Sequence, residues 1–424
     1  MVARRLLSIL LLLILVALVG GAPASTMLAQ PSVDEQLDQI QQRVTQIRQL
    51  DFTTPVQREF MSHDALRAYN EETFYRDNSP EELDAVQTLL ETLGYIPKGL
   101  DITSLLLDVL SEEVLGFYDP QTKSIYVISD EGRLSPDETV TFAHEMTHAL
   151  QDQHWDLHAQ ERARQDNNDQ TLAFRALEEG DAVLSQTLYS LRYVPQAIAD
   201  SAAEAGSTAL LDASPLIVRR ELLFPYEDGS NFLVNPFLTG SWDAIDAIWD
   251  NPPTSTAQIL HPDKYFAGQQ PVELPLPDLA SKLGDEWKLI DDDNLGELDI
   301  RTLIEQFVDR STADKAAAGW AGDHYEMFRR DSDGAAVFAF RSAWDTETDA
   351  REFFDAYKRA AAGRHGTELQ TLPTSSLNLT GHPDDAWLAQ AGSFGHALAL
   401  DGTDVALVVF TDPVGASVLE ALRP

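Results

Sequence analysis

Two mixed α+β domains are what this chain of 424 residues predicts, the first rich in helices around a polar centre, the second smaller with an antiparallel sheet. Three observations carry that expectation. His144-Glu145-Met146-Thr147-His148 lies in a stretch of helical character, short alternating apolar runs precede it, and from Gly319 onward strand-like runs flank helices. A chain of this length buries a sizeable core and divides in two.

The first residues read as an address. Arg4 and Arg5 precede an apolar run from Leu6 to Val19 and then Gly20-Gly21-Ala22-Pro23-Ala24, the layout of an export signal. A run of about fourteen residues is short of the roughly twenty needed to cross a bilayer. A signal peptide over residues 1–24 is therefore expected, cut after Ala24 or after Ala29, with a retained N-terminal membrane anchor as the alternative. The expected location is secreted or extracytoplasmic. The chain has no cysteine, so disulfides and thiolate ligands are excluded and any metal must be held by His and carboxylate. A formal charge of −39 repels nucleic acid phosphates and excludes a nucleic acid partner. No later stretch is long and apolar enough to span a membrane.

Residues 30–100 read as an N-terminal helical region. Val33, Leu37, Ile40, Val44, Ile47 and Leu50 form one helical stripe. Ser79-Pro80-Glu81-Glu82 starts a further helix and Gly94 stops it. Residues 101–268 form the catalytic domain. Val114–Tyr118 and Ser124–Ile128, around Asp119-Pro120-Gln121-Thr122-Lys123, predict a β-hairpin. Ser135 as N-cap, Pro136 at the first position and Glu138 three past the cap then open a helix that runs to Leu157 without Gly or Pro. Val140, Ala143, Thr147 and Leu150 make its inward stripe.

On that helix His144 and His148 stand one turn apart and can grip one metal ion from the same face. Glu145 beside them is placed to deprotonate a zinc-bound water. The plain alternative is two histidines on a helix face with a solvated Glu between them. Zinc needs a third protein ligand and an open position, and two regions compete. His154 lies ten residues after His144. The other is Ala176-Leu177-Glu178-Glu179-Gly180-Asp181-Ala182, in a second helix from about Gln170 to Tyr193. A developing oxyanion also needs a donor, for which Tyr118, Tyr226 and His261 are candidates.

H-E-x-x-H followed by Glu179-Gly180-Asp181-Ala182 resembles the gluzincins, the thermolysin-like zinc metallopeptidases in which a Glu on a following helix completes the metal site. The resemblance implies Glu179 as third ligand in preference to Glu178, with Gly180 letting its helix approach the histidine helix. Metzincins instead place a histidine where His154 stands, after a Gly, but this chain has Gln151 at that place and no Met until Met327. Gluzincins carry an Asp four residues after the ligand Glu. Here that place is Val183, and only Asp181 is near, so the outer shell departs from the pattern. From about Pro55 to Tyr265, through His148-Ala149-Leu150-Gln151-Asp152-Gln153-His154 and Pro252–Tyr265, the chain is also similar to uncharacterised secreted bacterial zincin-like proteins.

The resemblance implies a zincin-like catalytic fold, a small sheet plus helices, and an exported Zn²⁺-dependent metallopeptidase. Glu145 would pass the abstracted proton to the leaving amine, and an extended peptide would lie beside the Val114–Tyr118 strand. A non-catalytic module binding a peptide or envelope partner, and a zinc hydrolase of a non-peptide amide, are the alternatives. Residues 269–318, rich in Pro, Asp and Gly, read as a connector. Residues 319–424 read as the second domain, with strands Tyr325–Arg329, Ala335–Ser342, Ala386–Ala391, Gly395–Leu400 and Val405–Phe410 and helices Thr346–Ala361 and Val414–Leu422. No catalytic constellation is visible there.

Overall fold

The computed structural model describes residues 32–110, 115–128, 134–195, 209–377, 379–380 and 383–423; the expected export signal lies outside them. The architecture is mixed α+β, with an antiparallel sheet in the C-terminal region.

Helix α1 (Val33–Arg48) starts from a Ser32–Glu35 capping box and buries Leu37, Ile40, Val44 and Ile47, the stripe legible in the sequence. Strand β1 (Gln57–Met61) follows, then α2 (His63–Asp77), α3 (Pro80–Leu93) and α4 (Ile102–Leu110). Helix α3 opens on the Ser79–Glu82 capping box and ends at Gly94, φ 80°, a left-handed stop that glycine adopts without strain. Strands β2 (Gly116–Asp119) and β3 (Ser124–Ile128) form the expected hairpin, Gly116 facing Val127 and Asp119 facing Ser124. Val114, expected in its first strand, lies outside the described residues. Because β1 runs parallel to β3, the three strands lie in the order β1-β3-β2.

Next come α5 (Pro136–Trp155), α6 (Leu157–Arg162), α7 (Asn168–Tyr193), α8 (Ala209–Ala213) and α9 (Leu216–Trp249). Helix α5 has the Ser135–Glu138 capping box but stops at Trp155, two residues short of the expected end, because Asp156 turns left-handed at φ 51°. Helix α9 carries Pro225 and Pro236 and kinks at Ser241. Those prolines hid it from sequence reasoning, since proline inside a helix removes a hydrogen bond and is rare there. Short helices α10 (Thr256–Leu260) and α11 (Pro262–Phe266) complete this half.

The expected connector, residues 269–318, is structured instead. It holds α12 (Ala280–Leu283), β4 (Trp287–Asp293), α13 (Gly296–Glu305) and α14 (Arg310–Ala317). Strand β4 pairs with β5 (Trp320–Arg330), so the C-terminal sheet begins before Gly319. Within the expected connector Asp293 accepts the backbone N–H groups of Asn168 and Asn294, and Asp323 of β5 accepts those of Leu295 and Gly296. After β5 come β6 (Ala335–Trp344), α15 (Glu347–His365), β7 (Gln370–Leu372), β8 (Asp385–Ala391), β9 (Phe394–Asp401) and β10 (Asp404–Phe410). All pairings in this seven-stranded sheet, ordered β4-β5-β6-β10-β9-β8-β7, are antiparallel. The expected last helix is a 3₁₀ segment over Pro413–Val418 followed by α16 (Leu419–Leu422).

One apolar core joins Leu66, Leu89 and Ile102 of the N-terminal helices to Phe338, Phe353 and Val409 of the sheet and α15. The N-terminal helices therefore share a core with the C-terminal sheet. Arg364 ties them further, donating to the carbonyls of Glu91 and Thr92 at the end of α3. Two smaller cores flank α5 and α7, one with Val44, Phe142 and Leu150, the other with Phe174, Phe232 and Trp249. Among the described residues no helix is long and apolar enough to cross a membrane.

Candidate metal centre

The cap at Ser135 fixes the start of α5, and three turns later the helix is buried on every side. His144 and Glu145 are 0% exposed and His148 1%. The two imidazoles meet edge to face, ring centroids 4.7 Å apart, with their Nε2 atoms 2.9 Å from each other. From α7 the Glu179 carboxylate reaches the same point, Oε2 lying 3.1 Å from Nε2 of His144 and 3.4 Å from Nε2 of His148. One ligand atom from each of the three residues falls within 4.8 Å of the others.

The far sides of the rings decide what this point requires. Nδ1 of His144 faces Oε1 of Gln186 at 2.9 Å, and Nδ1 of His148 faces Oε1 of Gln151 at 2.9 Å. The Gln151 amide is fixed by the Glu178 carbonyl, so Nδ1 of His148 carries the proton and its Nε2 presents a lone pair; with the Gln186 oxygen toward His144, that ring takes the same form. Two lone pairs and a carboxylate oxygen then converge with no donor among them. Three acceptors in a buried space repel unless a cation joins them. In the bare chain a proton takes that place. Burial alone would push His148 down, yet the Glu179 carboxylate beside it lifts it to about 10. Burial opposes ionisation of Glu179 too, but the charge on His148 beside it holds it well below the usual carboxylate range. The donor set, two imidazoles and one carboxylate with no thiolate, fits Zn²⁺ at a site with open positions.

Glu145 stands over the same space. Its Oε2 accepts the backbone N–H of Tyr118 at 2.8 Å, whereas its buried Oε1 has no partner. Burial raises its carboxyl to about 8. Tyr226, from α9, stacks its ring 6.3 Å from that of His144 and faces the charge of Glu179. Burial, reinforced by the charge of Glu179, keeps its phenol protonated.

Tyr226 reaches the centre because α9 crosses α7 at van der Waals contact. A Cβ on Gly180 would lie 2.4 Å from the Gly229 carbonyl carbon, and one on Gly229 would lie 2.0 Å from the carbonyl oxygen of Ala176. Gly180 was expected to admit the histidine helix; it admits α9 instead. Helices α5 and α7 meet through side chains, among them the Thr147–Ser185 hydroxyl pair at 3.0 Å.

The other candidates fall elsewhere. The Tyr118 hydroxyl is committed to Asp152 at 2.6 Å, so only its backbone N–H serves the centre. His261 pairs with Glu297 at 2.7 Å, between α10 and α13. His154 is exposed and bonds the Asp51 carbonyl, pinning the segment after α1. Glu178 is buried with both carboxylate oxygens unpartnered, Oε1 3.8 Å from Nδ1 of His148 and so on the far side of that ring from Glu179. Asp181 does not orient a histidine. It pairs with the fully buried Arg48 of α1 at 2.9 Å and accepts from the Trp249 indole at 2.8 Å, with the guanidinium also lying over Trp242. Sequence reasoning missed Gln151 and Gln186. Their spacing was a usable signal, since positions three after His148 and seven after Glu179 share a helix face with those ligands.

Residues 287–420, the β4–α16 region, match a family described as a domain of unknown function (DUF8575). No curated protein and no solved structure matches the chain.

Proposed function

We propose that this chain is an exported zinc-dependent metallopeptidase of gluzincin type, with a zincin-like catalytic half in which His144, His148 and Glu179 hold the metal. The observation that carries the reading is the convergence of two Nε2 lone pairs and the Glu179 carboxylate on one buried point, both Nδ1 protons being committed to amide oxygens. A zinc ion there supplies Lewis acidity toward a carbonyl and toward water. Glu145 accepts the proton of the attacking water at its free Oε1 and returns it to the leaving amine, while the Tyr118 backbone N–H holds its other oxygen still. The Tyr226 phenol, kept protonated by burial, donates to the oxyanion of the tetrahedral stage. Among the described residues strand β2 ends its sheet, and its backbone contact with Glu145 sets it beside the centre, where an extended peptide would add main-chain hydrogen bonds. Export is supported by the Arg4-Arg5 and Leu6–Val19 pattern.

The test is metal stoichiometry on the purified chain followed by cleavage of a complex peptide mixture with and without chelator. One zinc per chain and chelator-sensitive cleavage are expected. A zinc-loaded chain that cleaves no peptide would replace this reading with a binding module or a hydrolase of non-peptide amides. A chain that takes up no metal would end it.

A further inference from the structure

We propose that Gln151 is a positioning residue whose single amide both fixes the ring state of His148 and sets the height of Glu179 against it. The inference rests on the metal centre proposed above. Gln151 is 0% exposed and lies three residues after His148 on α5. Its Nε2 donates to the Glu178 carbonyl at 3.0 Å, and its Oε1 lies 2.9 Å from Nδ1 of His148. A backbone carbonyl only accepts, so the amide can be placed in one way alone. That placement forces the ring proton onto Nδ1 and leaves the Nε2 lone pair aimed at His144 and Glu179. The accepting carbonyl belongs to the residue just before Glu179, so the same strut couples the two ligand-bearing helices.

The choice of an amide also has an electrostatic reason. A ligating histidine is often backed by a carboxylate, which makes the ring more basic. Here three carboxyl groups, those of Glu145, Glu178 and Glu179, are already buried around His148. Gln151 holds the ring without adding charge. Gln186 backs His144 in the same way but has no second anchor.

Two variants of the full chain separate the roles. Gln151→Met keeps the volume and removes both hydrogen bonds. Gln151→Glu keeps the acceptor for Nδ1 and removes the donor to Glu178. Zinc affinity is read by competition with a chromophoric chelator, folding by thermal unfolding, and the ring by the proton signal of His148 Nδ1–H in the zinc-loaded chain. Gln151→Met is expected to lose 10–100-fold in zinc affinity and the slowly exchanging, downfield Nδ1–H signal. Gln151→Glu is expected to retain that signal and most of the affinity. Equal losses in both variants would reduce Gln151 to a structural strut, and wild-type affinity in Gln151→Met would overturn the proposal outright. The wild-type signal needs no variant, so its absence in zinc-loaded protein counts against the proposal even if Gln151→Met does not fold. A wild-type chain that binds no zinc instead removes the metal reading itself, an outcome distinct from all of these.

Discussion

Two pairs of histidines in this molecule touch through their Nε2 atoms, and they have opposite needs. His144 and His148 lie 2.9 Å apart and His365 and His396 lie 3.0 Å apart. In the second pair the Tyr357 hydroxyl stands 3.0 Å from Nδ1 of His396. With that hydroxyl donating, the ring proton sits on Nε2 and donates onward to His365. Burial holds His396 well below the ordinary histidine range, so the relay stays neutral and every group in it is satisfied. In the first pair both Nδ1 atoms face amide oxygens, both Nε2 lone pairs point inward, and a carboxylate joins them. Among the described residues only His144, His148 and Glu179 bring three such groups together. The partners behind the rings, more than the distance between them, separate a donor set open to a cation from a packed core.

The sharpest way to break this comparison is to delete ligands. Glu179→Ala is expected to weaken zinc binding by more than about 100-fold, because outer-shell changes alone cost 10–100-fold, whereas His396→Ala leaves zinc stoichiometry at the wild-type value. Equal zinc loss in both, measured by chelator competition, would show that the two pairs do not differ. Glu145→Gln keeps the amide-sized volume and the zinc while lowering peptide turnover by about 10²–10⁴, the usual worth of a general base; unchanged turnover removes Glu145 from the mechanism. At the second pair, Tyr357→Phe leaves Nδ1 of His396 without its donor and is expected to cost about 1–3 kcal/mol in urea unfolding, with zinc affinity unaltered.

The smallest effect concerns pH in the C-terminal sheet. Burial and the nearby Asp292 charge raise Glu326 from 4.5 to about 7, and a hydrogen bond to Asp292 raises His324 above 6.5. Both groups bind protons more tightly in the folded state. Their contributions are therefore full at low pH and are lost as pH rises, for Glu326 between 4.5 and about 7 and for His324 above 6.5. Glu326 is only part-buried, so its share is about 1 kcal/mol after screening. Urea midpoints at pH 5 and pH 8 should differ less in Glu326→Gln than in the parent, and an identical difference would refute the assignment.

Much of this was legible beforehand where local chemistry decides structure. Capping boxes at Ser79 and Ser135, the Gly94 stop and the alternation in Ser124–Ile128 each specify their element without help from distant residues. The convergence of Glu179 on the histidine helix was expected from the gluzincin resemblance, the residues alone leaving Glu178 and His154 open. What stayed hidden depends on distant partners. Helix α9 keeps two prolines because its packing on α7 through Gly180 and Gly229 outweighs their local cost. Strand β4 reads as an acidic linker until β5 is there to pair with it. Tyr118, Tyr226 and His261 looked equivalent in the sequence, and only the fold assigns their hydroxyls and ring to Asp152, the metal centre and Glu297.

The core shared by the first helices and the last strand has a consequence for how the chain comes into being. The core that holds Leu66 and Leu89 is complete only once Phe338 and Val409 have been synthesised. Closure of so non-local an arrangement is slow.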